Sequence, residues 1–369
     1  MKTGNVYSMS QKIPVSVLAA TGSVGQRFVQ LLDNHPWFEV STLTGSDRSV
    51  GRLYGEACHW VLPEPMPAWA RQIVLAPTLP EAVTAPIAFS ALPADLACEI
   101  EPRFARDGVV VCSNASALRR EPDVPILLPE VNADHVRLVE RQRRERGWTG
   151  CIVTNPNCTS TGLTVVLKAL QNAFGLRRAI VVSMQAISGA GYPGVASLDI
   201  LDNVIPNIDG EEAKVEWEPR KMLGEMQADE LHPAEFLISA HTNRVAVSDG
   251  HMVCVSVEMG TPASVEEAGR VLGTYQAPQI SSQLPSAPHP VILLRDEPDR
   301  PQPRLDRLAG QGMTTVVGRL RADPIFHLKF VVLSHNTIRG AAGGSIYNAE
   351  LLVNMGIVGA GRSPGKDNV

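Results

Sequence analysis

No stretch of the sequence approaches the roughly 20 apolar residues needed to cross a bilayer, and residues 1–12 are polar rather than a charged-then-apolar leader. A ragged cytosolic terminus is the expectation. Positive charge is not in excess either, since 33 Lys and Arg stand against 38 Asp and Glu, for a formal net charge of −5. That balance lacks the positive field that a nucleic acid or an anionic membrane surface demands. The run Arg141-Gln-Arg-Arg-Glu-Arg146 has no interleaved aromatics and reads as a solvated helix face. Cysteine is sparse. Cys58, Cys98, Cys112, Cys151, Cys158 and Cys254 form no C-x-x-C pair, and none has a histidine at metal-ligand spacing. This excludes a disulfide framework and a zinc motif. His59, His232 and His335 complete no other metal signature, and no metal is expected. Internal repeats and low-complexity tracts are absent as well. The expected partner is a small molecule or a second copy of the chain, in a reducing compartment.

What is present is ordinary globular composition, with 44% hydrophobic and 19% charged residues over 369 positions. At about 100–200 residues per domain, two domains are expected. Residues 13–20 form a short β-branched apolar run, Thr21-Gly-Ser-Val-Gly25 breaks it, and Phe28, Leu31 and Leu32 then carry helical spacing. Further strands are predicted over 38–44, 86–92, 108–113 and 151–155, with a helix over 95–106 among them. Such alternation implies a Rossmann-type doubly wound parallel sheet. Beyond Asn157, longer strand candidates over 178–188, 236–241, 251–259, 314–321 and 325–333 outnumber helices, which predicts an α+β catalytic and dimerisation domain. Residues 276–307 read as a long surface excursion able to reach a neighbouring subunit. The expected division is 1–157 for dinucleotide binding and 158–335 for catalysis and dimerisation, with a C-terminal helix in 336–369 returning to complete the first domain.

Three places carry chemistry. Ala19-x-x-Gly22-x-x-Gly25 follows a buried strand and opens a helix, where backbone N–H groups can hold a pyrophosphate. Thr21, Gly22, Ser23 and Val24 are the candidate contacts. The pattern alone serves a structural turn as well. The second strand ends in Thr44-Gly-Ser-Asp-Arg-Ser49 without a carboxylate at its tip, and Ser46, Arg48 and Ser49 suit a 2′-phosphate. This points to NADP, with Asp47 keeping NAD open. Second, Asn155-Pro-Asn-Cys158-Thr-Ser-Thr-Gly162 sets a cysteine at a helix N-terminus, where the dipole favours the thiolate and can stabilise an oxyanion. The other five cysteines read as small buried hydrophobes, but turn-forming polar neighbours argue against that for Cys158. Third, Arg244 and His251 are separated by a turn, and each can face a cleft beside Cys158. Histidine suits thiol deprotonation and acid/base steps, and arginine suits a carboxylate, although either type is more often a surface or satisfied group. Gln185, before a glycine-rich turn that contains Gly189, can orient substrate. Glu211 and Lys214 lie one helical turn apart and otherwise make a plain ion pair; Arg119 can meet an anion or stay a surface arginine.

These residues resemble the aspartate-β-semialdehyde dehydrogenase family, in its archaeal and fungal branch, over nearly the whole chain after about Pro14. The most specific pieces are Asn155-Pro-Asn-Cys158-Thr, Gln185-Ala-Ile-Ser-Gly-Ala-Gly-Tyr-Pro-Gly194, Asp199-Ile-Leu-Asp-Asn-Val-Ile-Pro206, the run from Arg295 to Asp306, and the run from His335 to Ser345. The resemblance implies an NADP-dependent cytoplasmic enzyme that reductively dephosphorylates β-aspartyl phosphate to aspartate β-semialdehyde, upstream of lysine, methionine and threonine. It further implies Cys158 as nucleophile, His251 as acid/base, and Arg244 on the substrate carboxylate. By the same likeness Gln185 and Asn157 orient the acyl group, Glu211 faces the amine, Arg119 and Lys214 bind phosphate, Gly189 approaches the cofactor, and the chain forms a homodimer or homotetramer. Rival expectations are a malonyl-CoA reductase or N-acetyl-glutamyl phosphate reductase on the same scaffold, and an inactive NADP-binding homologue. Two positions depart from the family pattern. Ala19 replaces a glycine, which is tolerable if its φ stays negative, and Ala246 replaces a proline between Arg244 and His251.

Overall fold

A computed structural model of the chain describes residues 12–358. The chain divides into two compact units: the chain up to Pro125, Val136–Asn155 and the chain from Ser345 form the first, and Ile126–His135 with Pro156–Gly344 the second.

The first unit is built on six parallel strands, β1 (Ile13–Leu18), β2 (Phe38–Gly45), β3 (Ala76–Pro77), β4 (Ile87–Ser90), β5 (Val110–Ser113) and β6 (Cys151–Thr154). Their order is β3-β2-β1-β4-β5-β6, so the winding reverses between β1 and β4. Crevices outside strand C-termini at such reversals are where doubly wound sheets bind ligands. Every residue of β4, β5 and β6 is buried, as strands covered on both faces require. Helices α1 (Ser23–Leu31), α2 (Ala94–Arg106) and α3 (Leu138–Arg146) join them. Phe28 of α1 stacks on Phe89 of β4 at 5.0 Å between ring centroids. The arginine-rich run lies on α3, where Arg141 pairs with Glu145 and Arg146 with Glu121 and Asp123.

The second unit holds β7 (Leu176–Gln185), a small hairpin of β8 (Glu225–Gln227) and β9 (Glu230–His232), then β10 (Leu237–Arg244), β11 (His251–Met259), β12 (Ile292–Arg295), β13 (Thr315–Ala322) and β14 (Leu328–Ser334). The main sheet runs β10-β7-β11-β14-β13-β12 with mixed pairing. Strict alternation along β11 buries every second residue, so one face of the sheet is core. Helices α4 (Cys158–Phe174), α5 (Glu211–Met222) and α6 (Val265–Gly273) pack against it, around Leu163, Val166, Val181, Val255 and Phe330. The last helix, α7 (Gly343–Asn354), runs into the first unit, where buried Glu350 meets His35 at 2.9 Å.

The architecture is the expected one, a Rossmann-type sheet followed by an α+β unit, with two differences in detail. The 276–307 excursion contains β12, an edge strand parallel to β13, and β3 and the β8–β9 hairpin were not anticipated. Strands of two to four residues are too short for a period-2 pattern to show. No helix among the described residues is long and apolar enough to cross a membrane.

Candidate active site

Helix α4 begins at Cys158, and Asn157 is its N-cap: the side-chain Oδ1 accepts from the backbone N–H of Thr159 at 2.9 Å and of Ser160 at 3.1 Å. The other half of the Asn157 amide donates from Nδ2 to Glu211 Oε1 at 2.7 Å, and its backbone N–H donates to Glu218 Oε2 at 2.6 Å. Cap and carboxylates therefore fix one another. Gln185, the last residue of β7, donates to the same Glu211 oxygen at 3.2 Å, while Lys214 Nζ lies 3.4 Å from Glu211 Oε2. Glu211 is the hub of three contacts, and only Lys214 among the four has substantial exposure.

On the other side of the cysteine stands His251, the first residue of β11. Its Nε2 is 3.2 Å from Cys158 Sγ, and its Nδ1 accepts the backbone N–H of Ala186 at 3.1 Å. Burial, then the charges of Arg244 and His335, push the imidazole down to about 3. Arg244 closes β10 and donates from Nη1 to the Ala186 carbonyl at 2.8 Å. Burial lowers its pKa, against the opposing pull of Cys158 and Glu211. Gly189 is needed where it is, because a Cβ there would lie 2.7 Å from Arg244 Nη1 and 3.0 Å from His251 Nε2. The structure thus sets Gly189, expected at the cofactor, over the arginine and histidine. Asn336 braces this loop, donating to Ser188 Oγ at 2.7 Å and accepting from Gly250 N–H at 2.8 Å.

Cys158, Asn157, Gln185, Gly189, Glu211, Lys214, Arg244 and His251 all belong to the second unit. Arg119 and the expected cofactor residues other than Gly189 belong to the first. There Gly22 is the N-cap of α1, whose first turn receives no side-chain cap. First-turn N–H groups of a helix can hold an anion. Ser46 and Arg48 are exposed just beyond β2, whereas Ser49 is buried and donates to the Ser46 carbonyl at 2.9 Å. Arg119 is buried and donates to the Asn114 carbonyl at 2.9 Å. Ala19 departs from expectation: its φ is +57°, not negative. Hydrogen bonds from Ala19 N–H to Thr44 Oγ1 and from Ala20 N–H to the Thr44 carbonyl hold the turn in this form despite the methyl group.

Two family models match the chain: "Semialdehyde dehydrogenase, NAD binding domain" over residues 14–139 and "Semialdehyde dehydrogenase, dimerisation domain" over 167–339. The aspartate-semialdehyde dehydrogenase of Archaeoglobus fulgidus is 52% identical over 344 residues, covering 93% of this chain and 99% of that protein. That of Schizosaccharomyces pombe is 46% identical, covering 93% and 99%. The crystal structure of the Candida albicans enzyme with NADP superposes with a TM-score of 0.87 at 42% identity, covering 94% of this chain and all of that one. The chain belongs to the aspartate-semialdehyde dehydrogenase family.

Within that family frame, Thr21 to Val24, Ser46, Arg48, Ser49 and Arg119 fall in the NAD binding domain, and Gln185, Gly189, Glu211, Lys214, Arg244 and His251 in the dimerisation domain. Four residues at the site were not anticipated: Ala186, Glu218, Asn336 and Gly340. Glu218 alone had a readable signal, since it follows Glu211 by two helical turns on the same face of α5. Ala186 acts through its backbone, which carries no sequence signature. Gly340 backs Cys158 so closely that a Cβ would lie 2.8 Å from the cysteine Cβ and 2.9 Å from its Cα.

Proposed function

We propose that this chain catalyses the reversible, phosphate-dependent conversion between an acyl phosphate and an aldehyde, with β-aspartyl phosphate and aspartate β-semialdehyde as the pair and NADP as hydride carrier. The observation that carries the reading is Cys158 Sγ at 3.2 Å from His251 Nε2, at the first residue of a capped helix, with Arg244 and Glu211 beside it. A nucleophile, a proton-bearing partner, a cation for a carboxylate and a carboxylate for an amine match an amino-acid side-chain acyl group.

In the reductive direction the Cys158 thiolate attacks the acyl carbon, a C–S bond forms, and the C–O bond to phosphate breaks with its electron pair on phosphate. The carbonyl oxygen gathers charge beside the start of α4 and the His251 ring. Arg244 orients the substrate carboxylate by its planar fork, and Glu211, itself held by Asn157 and Gln185, orients the amine. Lys214, partly exposed, and Arg119 are the proposed phosphate contacts. Bound NADPH would supply the hydride that takes the thioester to the aldehyde level. The uncapped first turn of α1 and the exposed Ser46 and Arg48 fit a dinucleotide bearing a 2′-phosphate.

The six free cysteines support a cytoplasmic setting. The dimerisation-domain match, together with Ile180 and Leu237 at 45% and 65% exposure on the open face of the second sheet, supports a homodimer through that face. The direct test is NADP reduction by purified protein with aspartate β-semialdehyde. Turnover should require phosphate and fail with Cys158→Ser, and NAD should serve poorly. Turnover without phosphate, or with malonyl-CoA and NADPH alone, would refute the substrate assignment.

A further inference from the structure

Between β10 and β11 the chain makes a turn, residues 245–250, with Arg244 at one end and His251 at the other. Its inner edge zips to the end of β7 and the residues after it. Val245 N–H donates to the Gln185 carbonyl at 3.0 Å, Ile187 N–H to the Val247 carbonyl at 2.7 Å, and Ser188 N–H to the Ser248 carbonyl at 3.2 Å. The Ala186 peptide lies inside that zip, and its carbonyl accepts from Arg244 Nη1 at 2.8 Å. Where the guanidinium points therefore depends on where the turn sits.

Little within the turn itself fixes it. Ala246 and Ser248 are exposed, and Val247 N–H closes only a three-residue ring onto the Val245 carbonyl at 2.8 Å. Asn336 holds the Gly250 end. The middle is held by Arg307, whose Nη1 donates to Ser248 Oγ at 2.9 Å and to the Asp249 carbonyl at 3.2 Å. Arg307 directly follows the short helix Pro303–Asp306, and that helix is anchored by its last residue. Asp306 is 4% exposed and accepts from Arg300 Nε at 2.6 Å, from Arg300 Nη2, and from Gln302 N–H at 2.7 Å. None of the residues clustered around Cys158 comes from the run Arg295 to Arg307, yet the run ends on the turn that carries two of them. It forms a strut behind the site.

Resting on the reading of Arg244 as the cation for the substrate carboxylate, we propose that Arg307 is a positioning residue for that carboxylate. Its guanidinium holds the backbone at Ser248 and Asp249, that backbone holds the edge from Ala186 to Ser188, and the Ala186 carbonyl aims Arg244. Freeing the turn removes orientation and leaves charge in place. Arg244 keeps its cation but spreads over more positions, so the carboxylate is held less well beside Cys158. Lys214, on α5, stands outside this chain of contacts. The turn also supplies its own control, because Ala246 has a negative φ and its N–H has no acceptor among the described residues. Ala246→Pro therefore stiffens the turn from within.

The test is steady-state kinetics of the full chain with aspartate β-semialdehyde, NADP and phosphate. Arg307→Ala should raise the KM for the semialdehyde about tenfold and leave the KM for phosphate within about twofold. Arg307→Lys, which keeps a cationic donor, should recover part of the loss. Ala246→Pro should be nearly silent in the wild type and restore most of the affinity in the Arg307→Ala background. A second readout needs no turnover: the rate of Cys158 alkylation by iodoacetate relative to iodoacetamide reports a cation beside the sulfur, since only the first reagent carries a carboxylate. That ratio should fall in Arg307→Ala toward its value in Arg244→Ala, and rise again with Ala246→Pro. An unchanged semialdehyde KM and ratio overturn the proposal. So does an equal rise in both KM values, or a loss that Ala246→Pro leaves uncorrected. If the wild type does not turn over the semialdehyde while the alkylation ratios follow the stated order, the substrate reading falls and the action of Arg307 on Arg244 stands.

Discussion

Two buried titratable side chains give this protein opposing pH responses. His251 has its pKa depressed from 6.5 to about 3, so as pH falls through that window the unfolded chain binds a proton that the native site refuses, and stability is lost toward acid. Glu101, buried in α2 with Ser113 Oγ donating to it at 2.6 Å, is raised from 4.5 to about 7 by burial, so its contribution is present below 4.5 and is lost as pH rises through 7. Between about 4.5 and 6.5 the two slopes have opposite sign. The expected outcome for His251→Gln is a smaller acid-side loss, and for Glu101→Gln a smaller loss between 4.5 and 7, measured as denaturation midpoints across pH. The single variants should diverge in opposite directions from the wild type. At this scale the cluster was legible where residue type carries it: Cys158 stood out because its polar, turn-forming neighbours suit no buried core, and Arg244 and His251, raised only as the partners a nucleophile needs, lie beside it in the structure. Ala19 was misread in conformation, since nothing local in the sequence shows that Thr44 holds the turn at positive φ.

At the scale of elements, Cys158 is placed by the start of one helix and the approach of a second segment. Residues Ile338–Ala342 form a π turn, with Gly340 N–H donating to the His335 carbonyl at 2.9 Å and Ala342 N–H to the Thr337 carbonyl at 3.2 Å. Arg339 in this turn is fully buried and paired with Glu130, which is 1% exposed. Breaking one partner of such a pair costs about 3–5 kcal/mol, so the turn that packs on α4 is held firmly to the segment carrying Glu130. Gly340→Ala must therefore push on Cys158 itself, whose Cβ lies 2.8 Å from the added methyl position. A displacement on the order of 1 Å is worth roughly 100-fold in rate. The expected result is a fall in kcat of about that size with little change in KM and an unchanged far-ultraviolet circular dichroism spectrum. An unchanged kcat would show that the turn does not position Cys158 for the reaction. The strands and helices that carry the site were readable from periodicity and turn residues. The contacts between them were not, because Asn157 to Glu218 and Ala186 to His251 join positions 61 and 65 residues apart.

For the whole molecule, the order of elements announced a Rossmann-type unit followed by an α+β unit, while the single buried face of the second sheet emerged from the burial alternation along β11 in the structure. What covers the other face was beyond reach of a pattern that only separates inside from outside. Ile180 and Leu237 lie on adjacent parallel strands there. If that face joins two copies, Ile180→Asp with Leu237→Asp should halve the mass seen by sedimentation, because two carboxylates per chain would be buried unpaired. A mass unchanged by the double substitution would move the interface elsewhere.

In the proposed reaction Cys158 carries the acyl group between phosphate and aldehyde levels. Its most direct measurement is mass spectrometry of peptides after the protein is mixed with aspartate β-semialdehyde and NADP in the absence of phosphate. The expected result is an aspartyl adduct on Cys158 as a thioester, discharged when phosphate is added. An adduct on another residue, or undiminished phosphate-dependent turnover by Cys158→Ser, would contradict it.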